Sequence, residues 1–372
     1  MRITVPPPVS RAMSRAEQQA EWSRRAGEKA RAARKIRLQR LQSRRDAIRY
    51  ALEAYQALDD EHLPEIALRQ AFVCLAEPRP EPPDSDTHAT QDPKLRNKDR
   101  LRRDIETRPP LTKLVNRKTN ALSLLLTTIY VAHLECQPGQ AFRNDHGNAI
   151  PKPGVPSWAT LAGLGTASLR TRRVRVTRAL RELADVSLVL IDRPSGERDR
   201  FEEFCLYRED GMQTMYTRPG QYADSVVRLP ASFFLNGWHL VLEPKEIAVL
   251  LAIIELTDRT AGSRRRDHEY GVALPESVRW ARYGLSGEVY EAVHELAEFG
   301  LISIHDTMPE RRRGKLKVPT PQQREHAERH GQSLAPMPYR FVYDMTGNAF
   351  QREASKVVHH SLKESSLPPR MP

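Results

Sequence analysis

Residues 168–191 read SLRTRRVRVTRALRELADVSLVLI. Ser168 is a preferred helix cap, and residues 169–184 contain neither Gly nor Pro. On a helical wheel Leu169, Val176, Leu180 and Leu183 gather on one side. The opposite side carries Arg170, Thr171, Arg175, Arg178 and Arg181, with Arg172 and Arg173 on its flanks and Val174 as the only apolar residue facing out. Residues 188–191 then form an apolar run that reads as a strand. Residues 193–200 make a polar turn with Pro and Gly, and residues 201–207 read as the return strand. The stretch therefore predicts a capped helix with one strongly cationic face, running directly into a β-hairpin.

Working outward, the same order of elements occurs twice. Ahead of the quoted stretch come an apolar helix over residues 120–135, a Gly/Pro loop, and a short helix over residues 156–164. Further along, Pro244-Lys245-Glu246 opens an apolar helix over residues 247–256, and a short helix over residues 275–283 stops at Gly284. Residues 286–304 follow and read SGEVYEAVHELAEFGLISI. Ser286 caps a helix over 287–299, Gly300 ends it, 301–304 is a strand, 308–321 a basic turn, and 339–343 the return strand.

Helix, short helix, capped longer helix and hairpin is the order of a winged helix, and the chain resembles that family over about residues 111–345. The carrying residues are Ala179-Leu180-Arg181-Glu182-Leu183 running into Leu188-Val189-Leu190-Ile191, and His294-Glu295-Leu296-Ala297-Glu298-Phe299-Gly300-Leu301-Ile302. In the first copy Asp185-Val186-Ser187 stands where the family has a turn glycine. The resemblance implies a mainly α fold with small β-hairpins, built as two tandem winged-helix domains behind a basic helical arm. Two such domains in tandem resemble plasmid replication initiators. That likeness implies binding to origin repeats in double-stranded DNA, homodimerisation and recruitment of host replication proteins.

The two third helices differ in charge. The first has the composition that phosphate contact and guanine readout require, so substituting Arg175 and Arg178 together is expected to weaken DNA binding. In the second, Val289, Ala292, Val293 and Leu296 point inward, and Glu288, Tyr290, Glu291, His294, Glu295 and Glu298 face out. Phosphates repel such a face, so it reads as a protein interface. The remaining DNA-contact candidates are Arg198 and Arg200 in the first wing and Arg311, Arg312, Arg313, Lys315 and Lys317 in the second.

The 372 residues carry 59 Lys+Arg against 47 Asp+Glu, a formal net charge of +12. Residues 1–50 hold 14 Lys+Arg and 4 Asp+Glu, so most of the excess lies there. A long basic helix is expected over residues 14–58, followed by a second helix over 63–75. The expected domains are a basic helical arm (1–76), a Pro-rich charged linker (77–108), the DNA-reading winged helix (109–215), a second winged helix acting as backbone clamp or protein interface (226–345), and a polar tail (346–372).

Other classes are disfavoured. The longest apolar stretches fall short of the roughly 20 residues that span a bilayer, and the N-terminus has no apolar signal core, so a cytoplasmic protein without a membrane partner is expected. Cys74, Cys136 and Cys205 are odd in number and far apart, which fits buried thiols. Gly314-Lys315 lacks the upstream glycine of a phosphate loop. His326 and His330 have no evident third ligand, so no metal or cofactor is expected, and no catalytic centre. A sequence-specific DNA-binding protein is the leading reading. A transcriptional regulator built from the same modules is the first rival, a protein-binding assembly factor the second, and an RNA-binding protein the third.

Overall fold

The computed structural model describes residues 15–59, 63–79, 106–117, 119–191, 201–220, 225–261, 271–306, 322, 329 and 338–364. Arg198 and Arg200, the second wing (Arg311, Arg312, Arg313, Lys315 and Lys317), His326, His330, most of the 77–108 linker and the end of the tail lie outside these residues. The described chain is mainly helical with small antiparallel sheets. No described helix is long and apolar enough to cross a membrane.

The N-terminal helix expected over 14–58 is two helices, α1 (Arg15–Ser43) and α2 (Arg45–Leu58), separated by a break at Arg44. The break lets α2 turn Ala47, Ile48, Ala51 and Tyr55 into the body, against a π-helical turn at Thr160–Leu164. Tyr55 fastens that contact. Its hydroxyl donates to the Leu161 carbonyl and lies 3.2 Å from Thr127 Oγ1 and 3.0 Å from His239 Nε2.

The helix expected over 63–75 is instead a strand, β1 (Glu65–Arg69), followed by a single turn, α3 (Gln70–Val73). Ile66 and Leu68 are buried with the alternation of a strand. They pair antiparallel with β4 (Val226–Pro230), Ile66 opposite Leu229 and Leu68 opposite Val227. Arg69 follows into the interior, where its Nη1 sits 2.7 Å from Glu209 Oε2 and its Nη2 donates to the Thr217 carbonyl at 2.8 Å.

Next come α4 (Pro110–Val115) and α5 (Ala121–Glu135). Nearly every residue of α5 is buried, which explains a helix without an amphipathic stripe. After the Thr160–Leu164 turn, α6 (Leu169–Asp185) packs on α5 and leads into the hairpin of β2 (Val189–Leu190) and β3 (Cys205–Leu206). Ser168 Oγ accepts the N–H of Thr171 at 3.3 Å, so the expected cap is formed.

Two short helices, α7 (Ser232–Leu235) and α8 (Trp238–Val241), precede α9 (Pro244–Ala261). Then follow β5 (Val272–Ala273), α10 (Glu276–Tyr283), α11 (Gly287–Tyr290), α12 (Val293–Glu298), β6 (Ser303–His305) and β7 (Arg340–Val342). The sheet order is β5-β7-β6, all antiparallel. Gly284 ends α10 with φ +64, a conformation that costs glycine little. The single helix expected over 287–299 is broken between Tyr290 and Val293.

The segment expected as a polar tail is structural as far as Glu364. In α13 (Ala354–Glu364) the residues Ala354, Val358 and Leu362, at helical spacing, are buried. This helix packs against α1 and α8. Just before it, the Phe350 carbonyl accepts Trp238 Nε1 at 3.2 Å and Asn236 Nδ2 at 2.9 Å. The buried apolar residues form one cluster running from Ile48 to Leu362. Cys74 and Cys136 are buried free thiols and Cys205 is half-buried.

Candidate nucleic-acid interface

α6 is held rigidly from beneath, with Val176, Ala179, Leu180 and Leu183 buried. Above that apolar seam Arg170, Arg173, Arg175, Arg178 and Arg181 are all exposed. Val174 stands among them at 41% exposure. Three residues of the stretch are placed differently from expectation. Leu169 is 38% exposed, because the first turn projects past the core. Thr171 is half-buried, with its hydroxyl 2.9 Å from Ser168 Oγ, and so belongs to the cap. Arg172 turns back, its Nη1 donating to the Ala149 carbonyl at 3.0 Å, and it ties the preceding loop to the helix.

The exposed arginines divide into two groups along the helix. Arg170 and Arg173 lie in the N-terminal half beside Val174, and the structure gives neither a partner among the described residues. Arg181, near the C-terminal end, places its guanidinium 5.1 Å from the Phe201 ring centroid. Arg175 and Arg178 line a cleft of about 950 Å³ between α6, the α1–α2 break and the start of α9. Arg40, Arg44 and Arg117 line the same cleft. No sequence pattern marked these three as contributors, since Arg40 and Arg44 look like any other members of a basic run. Only the break at Arg44 carries them to α6.

The acidic helix of the second repeat has a different fate. Tyr290 is 8% exposed, not outward-facing as expected. The break after Tyr290 rotates its ring into the sheet, edge-on to Phe341 at 5.9 Å, with the Arg279 guanidinium 4.5 Å from its centroid. Glu288 and Glu291 are exposed. His294, Glu295 and Glu298 are half-buried, and the charges opposite them belong to the chain itself. Arg34 of α1 forms an ion pair with Glu298, which also accepts from the Ser361 hydroxyl at 3.2 Å. Lys245 Nζ lies 4.0 Å from Glu295. Beside them Arg37 grips Glu246 with both Nη atoms, at 2.6 and 2.8 Å, and rests over the Phe299 ring. The basic N-terminal helix is therefore docked on the acidic repeat.

His146, next to Asp145 in the Gly/Pro loop, is fully buried. Its Nε2 lies 2.8 Å from Glu135 Oε1 and its Nδ1 2.7 Å from the Pro156 carbonyl, with the Trp158 ring against it. It braces the loop ahead of α6. Among the described residues no group of three or more His, Cys, Asp or Glu is placed to hold a metal ion. No family model, no curated protein and no solved structure matches the chain.

Proposed function

We propose that the protein binds double-stranded DNA sequence-specifically, with the exposed face of α6 in the major groove. The observation that carries this reading is that Arg170 and Arg173 project from the N-terminal half of a rigidly seated helix with no partner among the described residues. The N-terminal residues of a groove-bound helix are those that meet base edges. An arginine fork matches guanine bidentately, and an apolar side chain such as Val174 suits the thymine methyl. Arg175 and Arg178, on the cleft side, suit the backbone.

Two winged helices in tandem are the architecture we propose. Support comes from the second repeat, where α9, β5, α10, the α11–α12 pair and the β6–β7 hairpin follow in order and β5 joins the sheet beside β7. In the first repeat α5, the Thr160–Leu164 turn, α6 and the β2–β3 hairpin follow the same order. With the resemblance to plasmid replication initiators, this favours a non-enzymatic initiator that binds origin repeats as a homodimer and engages host replication proteins. A transcriptional regulator would use the same face. Direct repeats of the bound motif beside the gene favour the initiator.

The test is a titration of fluorescent duplexes with the double variant Arg170→Ala, Arg173→Ala. Each lost bidentate contact is expected to cost about 1–3 kcal/mol on the preferred sequence and much less on unrelated sequences. Equal binding of wild type and folded double variant to the preferred sequence would sink this assignment.

A further inference from the structure

The α1–α2 break sets Arg40 and Arg44 across the cleft from Arg175 and Arg178 of α6. The other cations on the cleft walls have carboxylates to face. Arg37 holds Glu246, Arg117 lies 3.8 Å from Asp185, and Lys245 lies 3.6 Å from Glu243. None of Arg40, Arg44, Arg175 and Arg178 has a carboxylate within 4.0 Å among the described residues. Four guanidinium groups without a carboxylate among the described residues thus share one opening, and three of them, Arg40, Arg175 and Arg178, are exposed to solvent.

Arg44 is the deepest of the four. Among the described residues its Nε is buried without a partner, and its Nη1 reaches only the Leu240 carbonyl, at 3.4 Å. Its Nη2 runs over Gly163, where a Cβ would approach to 3.2 Å. Gly163 also holds φ +67, so two constraints at once call for glycine there. Burial, and then the like charge of Arg175, push the Arg44 guanidinium below its usual range. A charge held this way works against folding unless an anion joins it. The planar fork fits a phosphate oxygen pair better than any other common anion except carboxylate.

We infer that Arg44 and Arg175 form a seat for one backbone phosphate of the bound DNA, in the cleft between the α1–α2 break and α6. The inference rests on α6 being the DNA-reading helix. It makes the N-terminal helices and the first repeat two halves of one grip. Glu288 lines the same cleft.

The variant Arg44→Met keeps the aliphatic stem and removes the charge. Without DNA its melting temperature is expected to rise, because an unpaired buried charge is gone. Its affinity for DNA is expected to fall about tenfold, equally for every duplex, and the slope of log Kd against log salt to flatten by about one. Inorganic phosphate at constant ionic strength should raise the melting temperature of wild type and leave Arg44→Met unmoved. A folded Arg44→Met with wild-type affinity and salt slope would overturn the seat. So would phosphate protection with unchanged DNA binding, which would assign the cleft to a free phosphate ligand. If Arg44→Met fails to fold, affinity, salt slope and phosphate protection are read on Arg175→Met, whose charge is exposed. Wild-type protein that binds no duplex defeats the reading of α6 itself, whereas wild-type binding with an indifferent Arg44→Met defeats only the seat.

Discussion

His133 and His239 are almost wholly enclosed, at 2% and 0% exposure. The Ala67 N–H donates to His133 Nε2 at 3.3 Å, which fixes that nitrogen as an acceptor. Burial, with Arg218 and Arg69 adding to it, lowers the His133 pKa to about 4, and burial lowers that of His239 to about 3. The unfolded chain takes up these protons near pH 6.5. Stability from this source is therefore complete above pH 6.5 and is lost as pH falls towards the folded values, at about 1.4 kcal/mol per pH unit for each histidine. Urea midpoints measured from pH 7.5 to 4.5 should fall, and fall less in His133→Gln. A midpoint in His133→Gln that drops as steeply as in wild type would contradict this account. The sequence showed that these residues were histidines but gave no sign of enclosure, because the groups that surround them come from distant segments.

At the scale of elements, one buried ion pair, Arg37 with Glu246, ties α1 to the start of α9. Glu246 is fully buried, accepts the Glu243 N–H at 2.7 Å at the start of α9, and takes both Arg37 nitrogens. Removing Arg37 leaves a buried carboxylate alone, so Arg37→Ala should cost about 3–5 kcal/mol in denaturant unfolding. Adding Glu246→Gln should recover part of that loss, and no recovery would point to lost packing rather than lost charge. The elements whose residues interact locally were legible in the sequence. Ser168 caps α6, Gly284 stops α10, and Val176, Leu180, Leu183, Val289, Ala292, Val293 and Leu296 are buried as their spacing marked, Leu169 and Tyr290 being the exceptions. The misread elements answer to distant partners. Ile66 and Leu68 fit a helix and a strand equally well until β4 is available to pair with them. Tyr290 fits an outward face until a helix break turns it onto Phe341.

At the scale of the whole molecule, the basic N-terminal helices are joined to the body through side-chain contacts. Residues 1–50 hold most of the positive excess, yet Arg34 and Arg37 are taken up by Glu298 and Glu246 of the second repeat. Tyr55 joins the N-terminal helices to both Leu161 and His239, and α13 closes over α1. Because the buried cluster is continuous, calorimetry should record a single unfolding transition with matching calorimetric and van't Hoff enthalpies. Two separated transitions would mean that the repeats fold independently. The cationic face of α6 was readable as a pattern of residues on one helix. The cleft beside it was not, since it exists only where the N-terminal helices meet the first repeat.

Whether α6 reads double-stranded DNA is tested by selection of duplexes from a random-sequence pool with the full chain, at two salt concentrations. A defined motif is expected at both concentrations, with overall retention that falls as salt rises. Retention without an enriched motif, or no retention at the lower salt, would contradict it.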